Sequence, residues 1–186
     1  MKSIAVFVVA MVFMCSIHSS ECLKGPREDA TDFLEGFFSG ALHDEAIDIN
    51  ECIDDGNQII NMLEQIVVDF EKGLGDLENL ILHIIDLLSE IPKSVLTCKK
   101  VPADIHKLED WTMMCADRNI MGKRFFNLFL EYGDRVKEDV KNLIENFKSK
   151  GYKISGNSLG DLLFLLFEKV QPTFTVKEAL NKLEKA

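Results

Sequence analysis

Gly156-Asn157-Ser158-Leu159-Gly160 fits G-x-S-x-G, the elbow that presents the nucleophilic serine of many hydrolases. That chemistry needs a strand running sharply into a helix, with an acid and a histidine later in the chain to activate the hydroxyl. No histidine follows Ser158; the four are His18, His43, His83 and His106. The residues ahead of it, Lys150 to Ser155, supply only a short extended piece, and the chain lacks the runs that would build a parallel sheet. The same spacing has a use without chemistry. Gly156 and Gly160, four apart, make a smooth notch at a helix start, against which a neighbouring helix can press. The expectation is packing, with no catalytic residue, no cofactor and no enzyme.

Metal chemistry is equally poorly supplied. There is no C-x-x-C and no H-E-x-x-H, so zinc has no ligand set. Asp48, Asn50, Asp54, Asp55 and Asn57 suggest calcium. An EF-hand loop requires Gly at its sixth position and Glu at its twelfth, and counted from Asp48 these are Ile53 and Ile59. His43, His83 and His106 are isolated and read as surface or internally paired residues.

The chain that would position such groups reads as helices. Phe33, Phe37, Ala41 and Leu34, Phe38, Leu42 recur at i, i+4 steps between Arg27 and Ala46, with Gly36 and Gly40 on one side allowing close approach. A second helix from Asn50 to Glu71 turns Ile53, Ile60, Leu63, Val67 and Phe70 inward, and Lys72-Gly73-Leu74-Gly75 breaks it. A third, carrying Leu74, Leu77, Ile81, Ile84 and Leu88, ends at Pro92. Ile105, Leu108, Trp111, Thr112 and Cys115 share a face. An aromatic stretch from Phe125 to Leu130 ends at Gly133, and Val136, Val140, Leu143 and Phe147 mark the next helix. Leu162 to Phe167 is apolar throughout, a core helix or a face for lipid or another subunit, with Leu162, Phe164 and Phe167 as its packing or interface residues. Pro172 closes it, and Thr175-Val176-Lys177-Glu178 is a capping box opening a final helix through Leu180 and Leu183. The fold class is all-α, a disulfide-stapled bundle of about six to eight helices.

Compartment follows from the N-terminus. Lys2, the apolar run Ile4 to Met14 and the small residues Ser16, Ser19 and Ser20 form a secretory signal peptide over 1–20, leaving 21–186 as a single helical domain. The run is shorter than the about 20 residues that span a bilayer, so no transmembrane span is expected. The formal net charge of −10 repels phosphate backbones and argues against nucleic acid. After Cys15 leaves, Cys22, Cys52, Cys98 and Cys115 remain; an even count in an oxidising compartment implies two bridges, with three possible connectivities. Cys52 lies 21 residues before Gly73 and Cys98 lies 25 after it, so an antiparallel pair hinged there brings both to its open end. That pairs Cys52 with Cys98 and leaves Cys22 with Cys115. The first bridge closes a loop worth about 4 kcal/mol by chain entropy.

Several phrases in order resemble a known family. They are FLEGFFSGAL (33–42), INECIDDGNQII (49–60), IPKSVLTCKKVPADIHKLE (91–109) and NLFLEYGDRVKEDVKNLIENFKSKGYKISGNSLGDLLFLLF (127–167). Together they resemble small secreted helical proteins abundant in ciliates and other protists. The resemblance implies a signal peptide, an all-α structure and a Cys52–Cys98 bridge, and it implies no activity. Members often read N-G-x-D-I where this chain has Glu131-Tyr132-Gly133-Asp134-Arg135.

Thirteen phenylalanines, all but Phe7 and Phe13 beyond the apolar leader, are a surplus of large apolar side chains. They favour a secreted, non-enzymatic structural or binding protein that self-assembles as a homo-oligomer and encloses lipid or another apolar ligand. The alternative is an acidic matrix protein of the secretory-granule lumen, condensed by calcium, and it rests on the charge.

Overall fold

A computed structural model describes residues 25–43, 49, 53, 56–73, 77–95, 98 and 105–170. The leader 1–20, Cys22, Cys52, the acidic positions 48, 50, 54 and 55, and the capping-box helix after Pro172 lie outside the described residues. Six α-helices are described, and no strand occurs among the described residues. They are α1 (Pro26–Leu42), α2 (Asn57–Lys72), α3 (Leu77–Val95), α4 (His106–Cys115), α5 (Arg118–Lys148) and α6 (Tyr152–Phe164), the last running into a π-helical turn, Leu165–Lys169. No helix among the described residues is long and apolar enough to cross a membrane.

α1 starts with Pro26 in its first turn, where the missing N–H costs nothing, and Glu28 and Asp29 there complement the positive end of the helix dipole. It is apolar around most of its circumference: Ala30, Phe33, Leu34, Phe37, Phe38 and Ala41 are all buried, which makes it the central helix. It ends at Leu42, four residues before the expected Ala46, because His43 turns left-handed at φ 55°. α2 begins at Asn57 rather than Asn50, and Ile53 is buried from outside the helix. Gly73, at φ 75°, closes α2 in a conformation that side chains disfavour, so the chain folds back into α3. Asp69 and His83 sit across that hairpin, with Asp69 Oδ2 2.6 Å from His83 Nδ1 and Oδ1 3.0 Å from Lys72 Nζ. The pairing is what allows a carboxylate to be buried there.

Two helix ends differ from the sequence reading. Pro92 lies inside α3, which continues one turn to Val95. The proline ring forfeits a backbone bond, but Ile91 and Val95 are fully buried and hold the last turn by packing. Gly133 does not end a helix either. α5 passes through it, bending at Tyr132 (φ −127°, ψ 22°), and Leu128, Val136 and Leu143 stay on one buried face across the bend.

α1 and α6 share the most extensive interface. They run parallel, although more than a hundred residues separate them in the chain. A Cβ on Gly36 would overlap the Lys153 carbonyl and stand 2.9 Å from the Asn157 nitrogen. On Gly40 it would overlap the Asn157 carbonyl and stand 2.8 Å from Asp161 N. From the other side, a Cβ on Gly156 would overlap the Phe33 carbonyl, and one on Gly160 would overlap that of Phe37 and lie 2.7 Å from Ala41 N. The obstructing atoms are all backbone, which cannot swing aside. Gly122, by contrast, has nothing within 4 Å of such a Cβ.

Urea denaturation should therefore separate two glycines in helix interiors. Gly160→Ala should lose about 2–3 kcal/mol through overpacking, and Gly122→Ala should gain about 0.5–1 kcal/mol from helix propensity. Equal effects at the two sites would remove the steric account of the α1–α6 seam.

Candidate functional site

Ser158 lies in the interior of α6, 4% exposed, not at a strand-to-helix turn. Its neighbour Ser155 is fully buried and donates its hydroxyl to the Leu143 carbonyl at 3.2 Å, tying α6 to α5. His43 packs edge-on against Phe164 at 4.4 Å, His83 is engaged with Asp69, and His106 opens α4 on the surface. The structure does not gather the histidines around Ser158. Among the described residues no group of three or more His, Cys, Asp or Glu could hold a metal ion.

The apolar run at the end of α6 is core. Leu162, Leu163, Leu165, Leu166 and Phe167 are buried, and Phe164 alone is half-buried, between His43 and Lys169, whose Nζ lies 5.1 Å from its ring centre. Phe167 stacks on Trp111 of α4 at 5.1 Å, and Trp111 Nε1 donates to Glu168 Oε1 at 3.0 Å. Beneath them is a residue the sequence reading passed over. Arg124 is 8% exposed, and its Nη1 donates to the carbonyls of Leu166 (2.9 Å), Phe167 (3.1 Å) and Val170 (2.8 Å). One guanidinium thereby satisfies acceptors that the helix end leaves open. Its Nε has no partner, and burial lowers its pKa, opposed by the charge of Glu168. The signal was present in the sequence: Met121, Arg124, Phe125 and Leu128 form one inward face, and an arginine on such a face needs a buried acceptor.

Cys115 is a free, buried thiol, which overturns its pairing with Cys22. It closes α4 facing the core, between Trp111 and Arg124, and burial pushes its pKa up to about 12. Cys98 is disulfide-bonded, to a partner outside the described residues.

The feature best suited to a ligand lies beside Cys115. A cavity of about 380 Å³ opens between α3 and the α4–α5 junction, lined by Leu77, Glu78, Ile81, Leu82, Ile85, Cys115, Ala116 and Gly122. Leu82 is 40% exposed, so the groove presents apolar surface to solvent. The lining repeats at i, i+4, i+8 along α3, the outward continuation of the stripe that packs its core side.

A second charged cluster joins α5 to α6. Arg135 Nη2 lies 2.6 Å from Asp161 Oδ2, and its Nε is 3.9 Å from Asp139 Oδ2, which is buried without a hydrogen bond. Burial and the neighbouring Asp161 raise the Asp139 pKa to about 6, against the pull of Arg135.

These helices, with no strand among the described residues, define an all-α protein organised on a buried parallel helix pair. The chain belongs to the SctB-like, secreted protein B-like, family, whose model matches residues 15–168. That membership supports a secreted location and covers all six helices. No curated protein and no solved structure matches the chain.

The Asp139 cluster predicts a pH dependence. A carboxyl with a raised folded-state pKa contributes stability that is full below about pH 4 and lost as pH rises through about 6. Asp139→Asn should stabilise the protein at pH 8 by about 1 kcal/mol, after allowance for solvent screening, and should have no such effect at pH 4. Denaturation at the two pH values checks this; an equal gain at both would show that the charge is not the cause.

Proposed function

We propose that this is a secreted, non-enzymatic helical binding protein whose groove between α3 and the α4–α5 junction takes an apolar ligand such as a lipid chain. The observation that carries the reading is the groove itself: about 380 Å³, walled by Leu77, Ile81, Leu82 and Ile85 and open to solvent. Ligand pockets commonly enclose about 300–1,000 Å³ with mostly apolar walls. The non-enzymatic part rests on Ser158 standing inside a helix without a base and on the scattered histidines. Self-association, as a homo-oligomer, draws on Phe126 and Ile154, which are 48% and 54% exposed. Condensation by calcium draws on the acidic charge.

For the bridge we retain Cys52 as the partner of Cys98. Cys98 is bonded and Cys115 is free, and an antiparallel α2–α3 pair would carry the chain before Asn57 and the chain after Val95 to the same end, which supports this pairing. Non-reducing peptide mapping should return a Cys52–Cys98 peptide; Cys22 linked to Cys98 would refute the pairing.

Native mass spectrometry of secreted protein, with lipid extraction, should show an apolar adduct. Leu82→Asp places a charge in the groove wall, at a position 40% exposed, which should leave folding intact. It should weaken uptake of a fluorescent fatty acid at least tenfold, about 1.4 kcal/mol. Empty secreted protein that takes up no fatty acid would end the ligand reading.

A further inference from the structure

A second cavity, sharing no lining residue with the groove, lies where the end of the α2–α3 hairpin meets α5. We propose that it binds a small aromatic carboxylate, with the ring in the cavity and the carboxylate on Lys137.

The sequence leaves this space open for local reasons. Gly73 closes α2 at φ 75°, and a Cβ on it would meet nothing within 4 Å, so the turn puts no side chain over the hairpin end. α5 bends at Tyr132, between Phe129 and Val136, so both halves of that helix supply walls. Leu80 and Val136 are the buried part of the lining, Phe70, Phe129 and Val140 stand half-buried around them, and Gly73 and Lys137 are exposed. Lys148 pairs with Glu71, next to Phe70, and ties α5 to α2.

Size and charge choose the occupant. The cavity measures about 170 Å³. An apolar cavity of about 150 Å³ walled by Leu, Ile and Phe takes up benzene, so this one fits a single ring and is too small for a long acyl chain. Phe70 and Phe129 offer that ring aromatic neighbours. Lys137 brings a positive charge to the lining. Its Nζ lies 3.6 Å from Asp134 Oδ1 with both side chains standing in solvent, a weak pairing that a ligand carboxylate can replace. Lys72, in the last turn of α2, answers the negative end of that helix's dipole.

Phenylacetate and its neutral counterpart toluene, titrated into the full secreted chain and followed by methyl NMR, test the site. Phenylacetate at millimolar concentration should shift the methyl signals of Leu80, Val136 and Val140 and leave those of Leu82, in the groove, in place. Lys137→Gln should weaken phenylacetate about fivefold, the scale of an exposed ion pair, and leave toluene unchanged. Val140→Phe, which fills the cavity from a half-buried position, should abolish both. Failure of both probes to move those methyls overturns the site. Equal phenylacetate affinity in the Lys137→Gln and parent chains overturns the carboxylate class, as does toluene binding without phenylacetate. Shifts of the same methyls on raising the protein concentration alone assign the cavity to a second copy of the chain and overturn the ligand.

Discussion

Backbone touching backbone between α1 and α6 is the contact on which the remaining structure depends. Gly36 and Gly40 face Lys153, Asn157 and Asp161, while Gly156 and Gly160 face Phe33, Phe37 and Ala41. Each glycine weakens its own helix by about 0.5–1 kcal/mol. The compensation is an approach close enough for dispersion and Cα–H···O contacts along the whole seam. Such an interface has no side chains to readjust, so it fixes spacing and register together. It also displaces the aromatic side chains sideways: Phe33, Phe37 and Phe38 fan out around the seam with ring centres 5.9 Å apart. α2 then packs against α1 beside the seam.

Polar contacts around α6 are consistent with a helix that must not slide. Lys153 pairs with Glu35 at 3.0 Å across the seam, and Arg135 holds Asp161 from α5. Exposed pairs of this kind add little stability, but they do select one register. The C-terminal end is held differently. Burying Arg124 is costly unless its donors are used, and its Nη1 gathers three carbonyls just where the helix widens into a π-helical turn and loses its regular bonds. Trp111, stacked on Phe167 and bonded to Glu168, seals that end from α4.

What was legible in the sequence was periodicity. The stripe of α1 and most of that of α3 match burial, because apolar spacing reports burial directly; in α2 the buried positions are Ile59, Leu63, Ile66 and Val67, so Ile60 and Phe70, read as inward, stand half-buried one position off the stripe. The glycine pairs four apart marked a close approach. The pairing of α1 with α6 was not legible, since two notches do not say that they fit each other. Pro92 and Gly133 misled because local breaker chemistry was outweighed by packing at Val95 and Val136. Cys115 misled because parity was used to pair it, whereas burial between Trp111 and Arg124 lets a thiol stay reduced and act as a small apolar side chain. Arg124 went unread because its role depends on carbonyls some forty residues away. The groove went unread because an α3 residue such as Leu82 looks the same in sequence whether a helix covers it or solvent does.

The motif that looked most like chemistry and the groove that looks most like a binding site lie on different helices, for a physical reason. A seam of interlocked backbones excludes any ligand, because it leaves no volume and every displacement costs contacts on both sides. A ligand requires the opposite: side chains at a margin, such as Leu82, Ile85 and Glu78, that can rearrange without disturbing the core. α3 meets that requirement, since one of its faces is packed and the other lines the groove.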